Sequence, residues 1–291
     1  MTDLLQLVFS GLATGSIYAL AALGFTLLWQ ASGTINFAQG EFVMLPAFGM
    51  LACMAFGAPL GMAFVVTVLL AVVVLGWGFK RGVVDPLMRF GMMPIVVATI
   101  GLSITMRNGV RAGFSAEAHP FPSLFADKLF SIGGVTLTLA DMGTFVLAVA
   151  IVLATQAFLS RTVTGRAMQA VAQNTESARV LGIDVPRMVF YTFAINAALA
   201  VAAALLVTPT YLAKFDMGEG LGTKAFFAAI IGGFNNSRGA LVGGLIVGVA
   251  ENLASAYISP AYKDAVALLI FMVVILFKPQ GLLGRKEERK V

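Results

Sequence analysis

Apolar residues in this chain run in long unbroken stretches and do not alternate. Such stretches cover about 8–29, 41–57, 59–79, 94–112, 141–159, 188–208, 239–258 and 264–278. Each approaches the roughly 20 mostly apolar residues that a helix needs to cross a bilayer. A shorter, glycine-rich piece at about 220–234 reads as a tilted span, a half-helix or a re-entrant segment. Lipid offers the backbone no hydrogen bonds, so spanning segments must be helices or closed barrels, and continuous runs select helices. The pattern predicts an all-α integral membrane protein of about eight or nine transmembrane helices, in one domain over 1–291. Gly11/Gly15, Gly239/Gly243 and Gly244/Gly248 are each four apart, so each pair lies on one helix face and permits close packing. Gly232-Gly233 and Gly243-Gly244 flank Asn235-Asn236-Ser237-Arg238-Gly239, which predicts two closely packed helices joined by a short turn.

Two polar segments interrupt this pattern with structure of their own. In the loop at about 113–140, Phe130-Ser131-Ile132, Gly133-Gly134 and Val135-Thr136-Leu137-Thr138 predict a small outer hairpin, because Gly-Gly suits the positive φ values of a tight turn. It either faces a soluble partner or caps the bundle. In segment 161–187 a helical wheel sets Ala167, Ala170, Val171, Asn174, Ala178 and Leu181 on one face. Arg166, Gln169, Gln173 and Glu176 occupy the other. Asn174 is placed to cap a second short helix, Gly182 to stop it, and Asp184 with Pro186 to start the next. Helices lying on lipid usually present Trp, Phe and Leu. This face is mainly alanine, which favours contact with a protein.

Composition narrows the class. Hydrophobic residues make up 59% of the 291 and charged residues 11%, against about 25% in soluble domains. Only a lipid environment covers that much apolar surface. Cys53 and His119 are the sole residues of their kinds, and no Gly-Lys pair exists. An intrachain disulfide and a phosphate-binding loop of that type are thereby excluded, a zinc or thiol enzyme is not expected, and no catalytic, metal or cofactor site is expected. Met1-Thr2-Asp3 lacks the basic start of a secretory signal, so the first run is expected to stay as a span.

The net charge of +5 is scattered and does not form a nucleic-acid surface. Lys80, Arg81 and Arg89 fall in an expected loop at 80–93, and Arg161, Arg166, Arg179 and Arg187 in segment 161–187. Arg238 lies in the 235–239 turn, and Lys278, Arg285, Lys286, Arg289 and Lys290 lie in the tail. Nine crossings put all of these on one side, which the positive-inside rule makes cytoplasmic, along with the C-terminus. Lys128, Lys214, Lys224 and Lys263 are then expected in loops on the opposite side. Polar groups inside spans are costly and mark function by default. Asn36, Glu41, Asn196 and Glu251 are the candidate translocation-path residues; each either lines a path or locks helices together. Arg107 and Glu251 form a candidate neutral pair.

Several stretches resemble one family. Gly15-Ser16-Ile17-Tyr18-Ala19-Leu20-Ala21-Ala22-Leu23-Gly24 and Ile35-Asn36-Phe37-Ala38-Gln39-Gly40-Glu41-Phe42 resemble the start of LivH-type permeases, a membrane subunit of branched-chain amino acid ABC importers. Gly165-Arg166-Ala167-Met168-Gln169-Ala170-Val171-Ala172 with Leu181-Gly182-Ile183 looks like that family's cytoplasmic coupling loop. Ile231-Gly232-Gly233 through Glu251, and Lys278-Pro279-Gln280-Gly281-Leu282-Leu283-Gly284, are similar as well. Gln39 stands where the family often has His. The resemblance implies a non-catalytic permease of the bacterial inner membrane that works with a second LivM-like permease, two ABC ATPase subunits that bind the ATP, and an extracytoplasmic solute-binding protein. Gly165, Arg166, Ala167, Ala170, Ala178, Leu181 and Gly182 would contact the ATPase. The solute would be a branched-chain or related amino acid or a similar small polar molecule. Two other readings stay open: a carrier or channel working alone, and a non-transporting scaffold or enzyme.

Overall fold

The computed structural model describes residues 2–126, 128–132, 135–234 and 236–284. The helices in chain order are α1 (Thr2–Ser32), α2 (Gln39–Ala55), α3 (Leu60–Met88), α4 (Met92–Phe114), α5 (Leu139–Arg161), α6 (Val163–Gln173), α7 (Thr175–Val180), α8 (Val185–Tyr211), α9 (Met217–Gly232), α10 (Ser237–Tyr257) and α11 (Lys263–Phe277). A hairpin of β1 (Leu129–Ile132) and β2 (Val135–Thr138) precedes α5. Among the described residues, seven helices are long and apolar enough to cross a membrane, the last being α11 together with the 3-10 turn Pro260–Tyr262 that leads into it, so the chain is a multi-pass membrane protein. α2 and α9, the latter covering the expected short piece at 220–234, have 17 and 16 residues. At 1.5 Å per residue they reach about 24–26 Å, less than the roughly 30 Å of a hydrocarbon core.

The third span departs from expectation. It stays helical to Met88, so the basic loop expected at 80–93 shrinks to residues 89–91. The cause is a π-helical stretch through Val72–Gly78 and Lys80–Val84. Bonding from i to i+5 widens each turn. Lys80 and Asp85, five apart, therefore face each other and bond at 2.9 Å. On an ordinary α-helix only residues three or four apart are neighbours.

The chain divides into two compact units. The first comprises 1–26, 124–152 and 224–291. Its centre is the contact of α1 with α10, made by two of the expected glycine pairs meeting each other. A Cβ on Gly15 would lie 2.6 Å from the Gly244 carbonyl oxygen, and one on Gly11 2.7 Å from Val249 Cα. Gly239 and Gly243 approach Gly232 and Ala228 of α9 just as closely, which is the expected tight helix pair. After α11 the chain returns to the end of α9. Leu282 N–H donates to the Ile231 carbonyl at 2.8 Å and Leu283 N–H to that of Gly232 at 3.0 Å. These bonds satisfy carbonyls that a helix end leaves free. In the hairpin, Leu129 pairs with Thr138 and Ile132 with Val135. Its expected turn, Gly133-Gly134, lies outside the described residues, as do Asn235 and the tail's Arg285, Lys286, Arg289 and Lys290.

We expect Gly15→Leu to destabilise the protein by about 3 kcal/mol, the upper end of the range typical of overpacking, because the obstacle is backbone. Thermal unfolding in mild detergent checks this; an unchanged midpoint would refute the α1–α10 contact.

The second unit comprises 27–123 and 153–223. Its core helix is α8, whose apolar window is 72% buried, and which packs on α2, α3 and α6. Phe42, Phe79 and Phe193 interlock there, with ring centroids 5.0 and 5.9 Å apart. Gly76 on the π stretch lets α3 meet the α8 backbone at Ala194.

Candidate functional site

Three groups of residues in this framework bear on function. The first opens α2. Asn36 accepts from the Ala38 N–H at 3.0 Å and fixes the turn into the helix. Gln39 Nε2 donates to Asn196 Oδ1 at 2.8 Å, and Asn196 Nδ2 donates back to Gln39 Oε1 at 3.1 Å. Both amides are almost wholly buried. Each satisfies the other, so the pair locks α2 to the middle of α8. Removing one leaves a buried amide unsatisfied, which costs about 1–3 kcal/mol. We expect Asn196→Leu to lower thermal stability accordingly, and Gln39→Leu added to it to restore part of the loss.

Two residues further, Glu41 is buried beside Ser103 of α4. Arg107, one helical turn beyond Ser103, pairs with Glu219 in the first turn of α9. A Cβ on Gly222 would lie 3.0 Å from Gly40 Cα, so the starts of the two short helices touch through glycine. The glycines thus gather two carboxylates around one guanidinium. The Glu219 side chain is 68% exposed while it pairs with Arg107, so this ion pair is open on one side.

Glu251 belongs to the first unit and to a different network. It accepts from Tyr18 Oη at 2.8 Å and pairs with Lys224 Nζ at 2.5 Å. Lys263 stands 3.7 Å away, and Lys224 also reaches Asp264 at 3.0 Å. The expected pairing of Arg107 with Glu251 is therefore wrong: each has its own partner, Glu219 and Lys224. Lys224 is also not a loop cation. It lies inside α9, buried, where its neighbour Glu251 offsets the cost of its charge.

Of the expected path residues, Asn36 and Asn196 thus come together around Gln39, Glu41 joins the Arg107 group, and Glu251 stands apart. Tyr18, Gln39, Glu219 and Lys224 were not among them. Gln39 stood out only as an unusual residue in its motif. Lys224 carried the signal of an intramembrane cation, since the expected short piece at 220–234 contains it.

The third group is segment 161–187. Thr162 accepts from the Gly165 N–H at 3.0 Å and starts α6. Asn174 accepts from Ser177 N–H at 2.9 Å and starts α7, and Asp184 accepts from Arg187 N–H at 3.1 Å and starts α8. Gly182, at φ +79°, reverses the chain after α7. Asn174, Gly182 and Asp184 thus act as expected, and Thr162 adds a cap that was not among the expected ones. The faces differ from the wheel. Gly165 abuts the Phe158–Leu159 backbone, and Met168, Val171 and Ala178 are buried within the chain. Ala167 and Ala170 are half-buried, while Arg166, Leu181 and Gly182 are exposed. The outward apolar groups are Val163 (77% exposed), Val180 (87%) and Leu181 (77%). A break between α6 and α7 at Asn174 resets the helical phase, which one continuous wheel misses.

Residues 7–275 match the family described as the branched-chain amino acid transport system permease component. The chain is 34% identical to the high-affinity branched-chain amino acid transport system permease protein LivH of Escherichia coli (strain K12), over 99% of this chain and 97% of that one. To the corresponding permease BraD of Pseudomonas aeruginosa it is 33% identical, over 99% of this chain and 98% of that one. A more distant relative, at 23% identity over 89% of this chain and 78% of its own, is the fructose import permease FruG of Bifidobacterium longum. With its apolar helices, a family match over residues 7–275 and identities of 33–34% over 99% of its length, the chain belongs to the branched-chain amino acid permease family and is a transport permease subunit.

Proposed function

We propose that this chain forms half of the translocation path of an ATP-driven importer for branched-chain or related amino acids. A second, LivM-like permease completes the path. Two ABC ATPase subunits bind and hydrolyse the ATP, and an extracytoplasmic binding protein delivers the solute. Segment 161–187 and the C-terminus face the cytoplasm. The observation that carries this reading is the capped pair α6–α7, which holds Val163, Val180 and Leu181 outward on a rigid element beyond the spans. Such a knob transmits a partner's motion because its own base is packed on α8. The relatives named for branched-chain amino acid transport support the solute class. The relative named for fructose import marks how far solute choice ranges among similar chains.

The test is purification of the chain from its native membrane in mild detergent, with mass spectrometry of what stays bound. A second permease and ATPase subunits are expected. Recovery of the chain alone, active in liposomes without ATP, would replace this reading by a carrier or channel.

A further inference from the structure

A cavity of about 390 Å³ lies in the second unit between the end of α3 and the start of α8, where it meets the last residues of segment 161–187. Its lining includes Trp77, Lys80, Arg81, Asp85, Arg187 and Phe190. Asp184 and Pro186 complete the wall.

The charges there do not cancel. Lys80 and Asp85 neutralise each other at 2.9 Å. Asp184 spends Oδ1 on the Arg187 backbone N–H as the cap of α8. Among the described residues, neither the Arg81 nor the Arg187 guanidinium has a carboxylate within ion-pair distance. Two forked cations therefore face one open cavity against a single carboxylate that is already engaged. Guanidinium forks fit phosphate oxygens, two N–H groups to two oxygens.

The surroundings say where the phosphate comes from. Val73, Val74 and Trp77 are each more than half exposed on α3, and they precede Arg81, whose guanidinium sits 5.9 Å from the Trp77 ring. Aliphatic, then indole, then cation is the order in which a span leaves hydrocarbon, crosses the headgroup level and reaches water. The π-helical turns shape the site, because the wider turn brings Lys80 to Asp85, while Arg81 lies over Trp77, four residues before it. A free anion would need no apolar approach of this kind.

We propose that this cavity holds the headgroup phosphate of an anionic phospholipid, clamped by Arg81 and Arg187 with its acyl chains along Val73, Val74 and Trp77. The lipid would then brace the α3–α8 contact beside segment 161–187. The proposal rests on the membrane location of the chain and not on any assignment of solute or ATPase.

Native mass spectrometry of the full-length protein in mild detergent, titrated with phosphatidylglycerol, phosphatidylcholine or inorganic phosphate, tests it. Phosphatidylglycerol is expected to bind in preference to phosphatidylcholine. R81Q/R187Q should weaken it roughly 30-fold, the effect of losing two cations at a lipid surface. Unchanged phosphatidylglycerol binding in that variant overturns the proposal. Inorganic phosphate that competes at equal concentration makes this a free-anion site and overturns the lipid assignment. If R81Q/R187Q sheds co-purifying protein subunits while its lipid binding is intact, the cavity is a protein-docking surface instead.

Discussion

V180Q/L181Q should abolish solute uptake while the protein folds normally. Both side chains project from the last turn of α7 and its C-cap and bury almost nothing in the chain itself. Their removal therefore subtracts little from folding, since exposed substitutions away from special features usually stay within about 0.5 kcal/mol. If α6–α7 seats in an ATPase groove, the same two groups become buried anchors. Such anchors commonly cost about 2 kcal/mol or more each on truncation, and two of them would weaken docking by several hundred-fold or more. Glutamine is used because an acidic side chain would also oppose the negative end of a helix. The readouts are ATPase retained on purification, ATP-driven uptake in vesicles, and the melting midpoint as a folding control. Normal uptake with a normal midpoint would remove the coupling role from this segment. Ala178→Trp is a poor substitute, since Ala178 is buried and its loss would confound folding with docking.

Lys224→Met should destabilise the first unit more than any other single polar substitution discussed above. Lys224 and Glu251 are both buried, with side chains 11% and 5% exposed. Breaking a buried ion pair by deleting one partner costs about 3–5 kcal/mol, because the other charge is left without compensation. Lys263 at 3.7 Å and the Tyr18 hydroxyl at 2.8 Å still face Glu251, which places the loss near 3 kcal/mol, the lower end of that range. The double variant K224M/E251Q should recover most of it. It removes both charges together, and the amide oxygen of the introduced glutamine still accepts from Tyr18. Thermal unfolding of the single and double variants makes the comparison. If the double variant is no more stable than Lys224→Met, the pair does not act as a unit.

Lys224 also shows how a plausible sequence rule misleads. Counting it as a loop charge supported a tidy division of basic residues across the membrane. It fell out because hydropathy locates a span's ends poorly: α9 begins at Met217, which puts Lys224 in the middle of the helix. The same weakness hid the last turns of α3. Lys80, Arg81 and Gly82 looked like a loop because a sequence does not announce π-helical turns, whose i to i+5 spacing alone lets Lys80 and Asp85 meet. Segment 161–187 was more legible. Asn174, Gly182 and Asp184 act on atoms within three or four residues, so their roles are local and can be read directly. Its burial pattern was not, because which side of α6 faces inward depends on α8.

The sequence by itself determined what local physics controls. Unbroken apolar runs dictated membrane helices, caps placed the short ones, and glycines four apart marked the faces on which helices would meet. Only the tertiary structure decided the partners. Gly11 and Gly15 meet Gly244 and Gly248; Gln39 meets Asn196; Arg107 takes Glu219, and Glu251 takes Lys224. Each polar group has several candidates of opposite charge or matching hydrogen bonds at long sequence separation. The choice among them is made by how whole helices pack, a property that no residue's own neighbours in the chain encode.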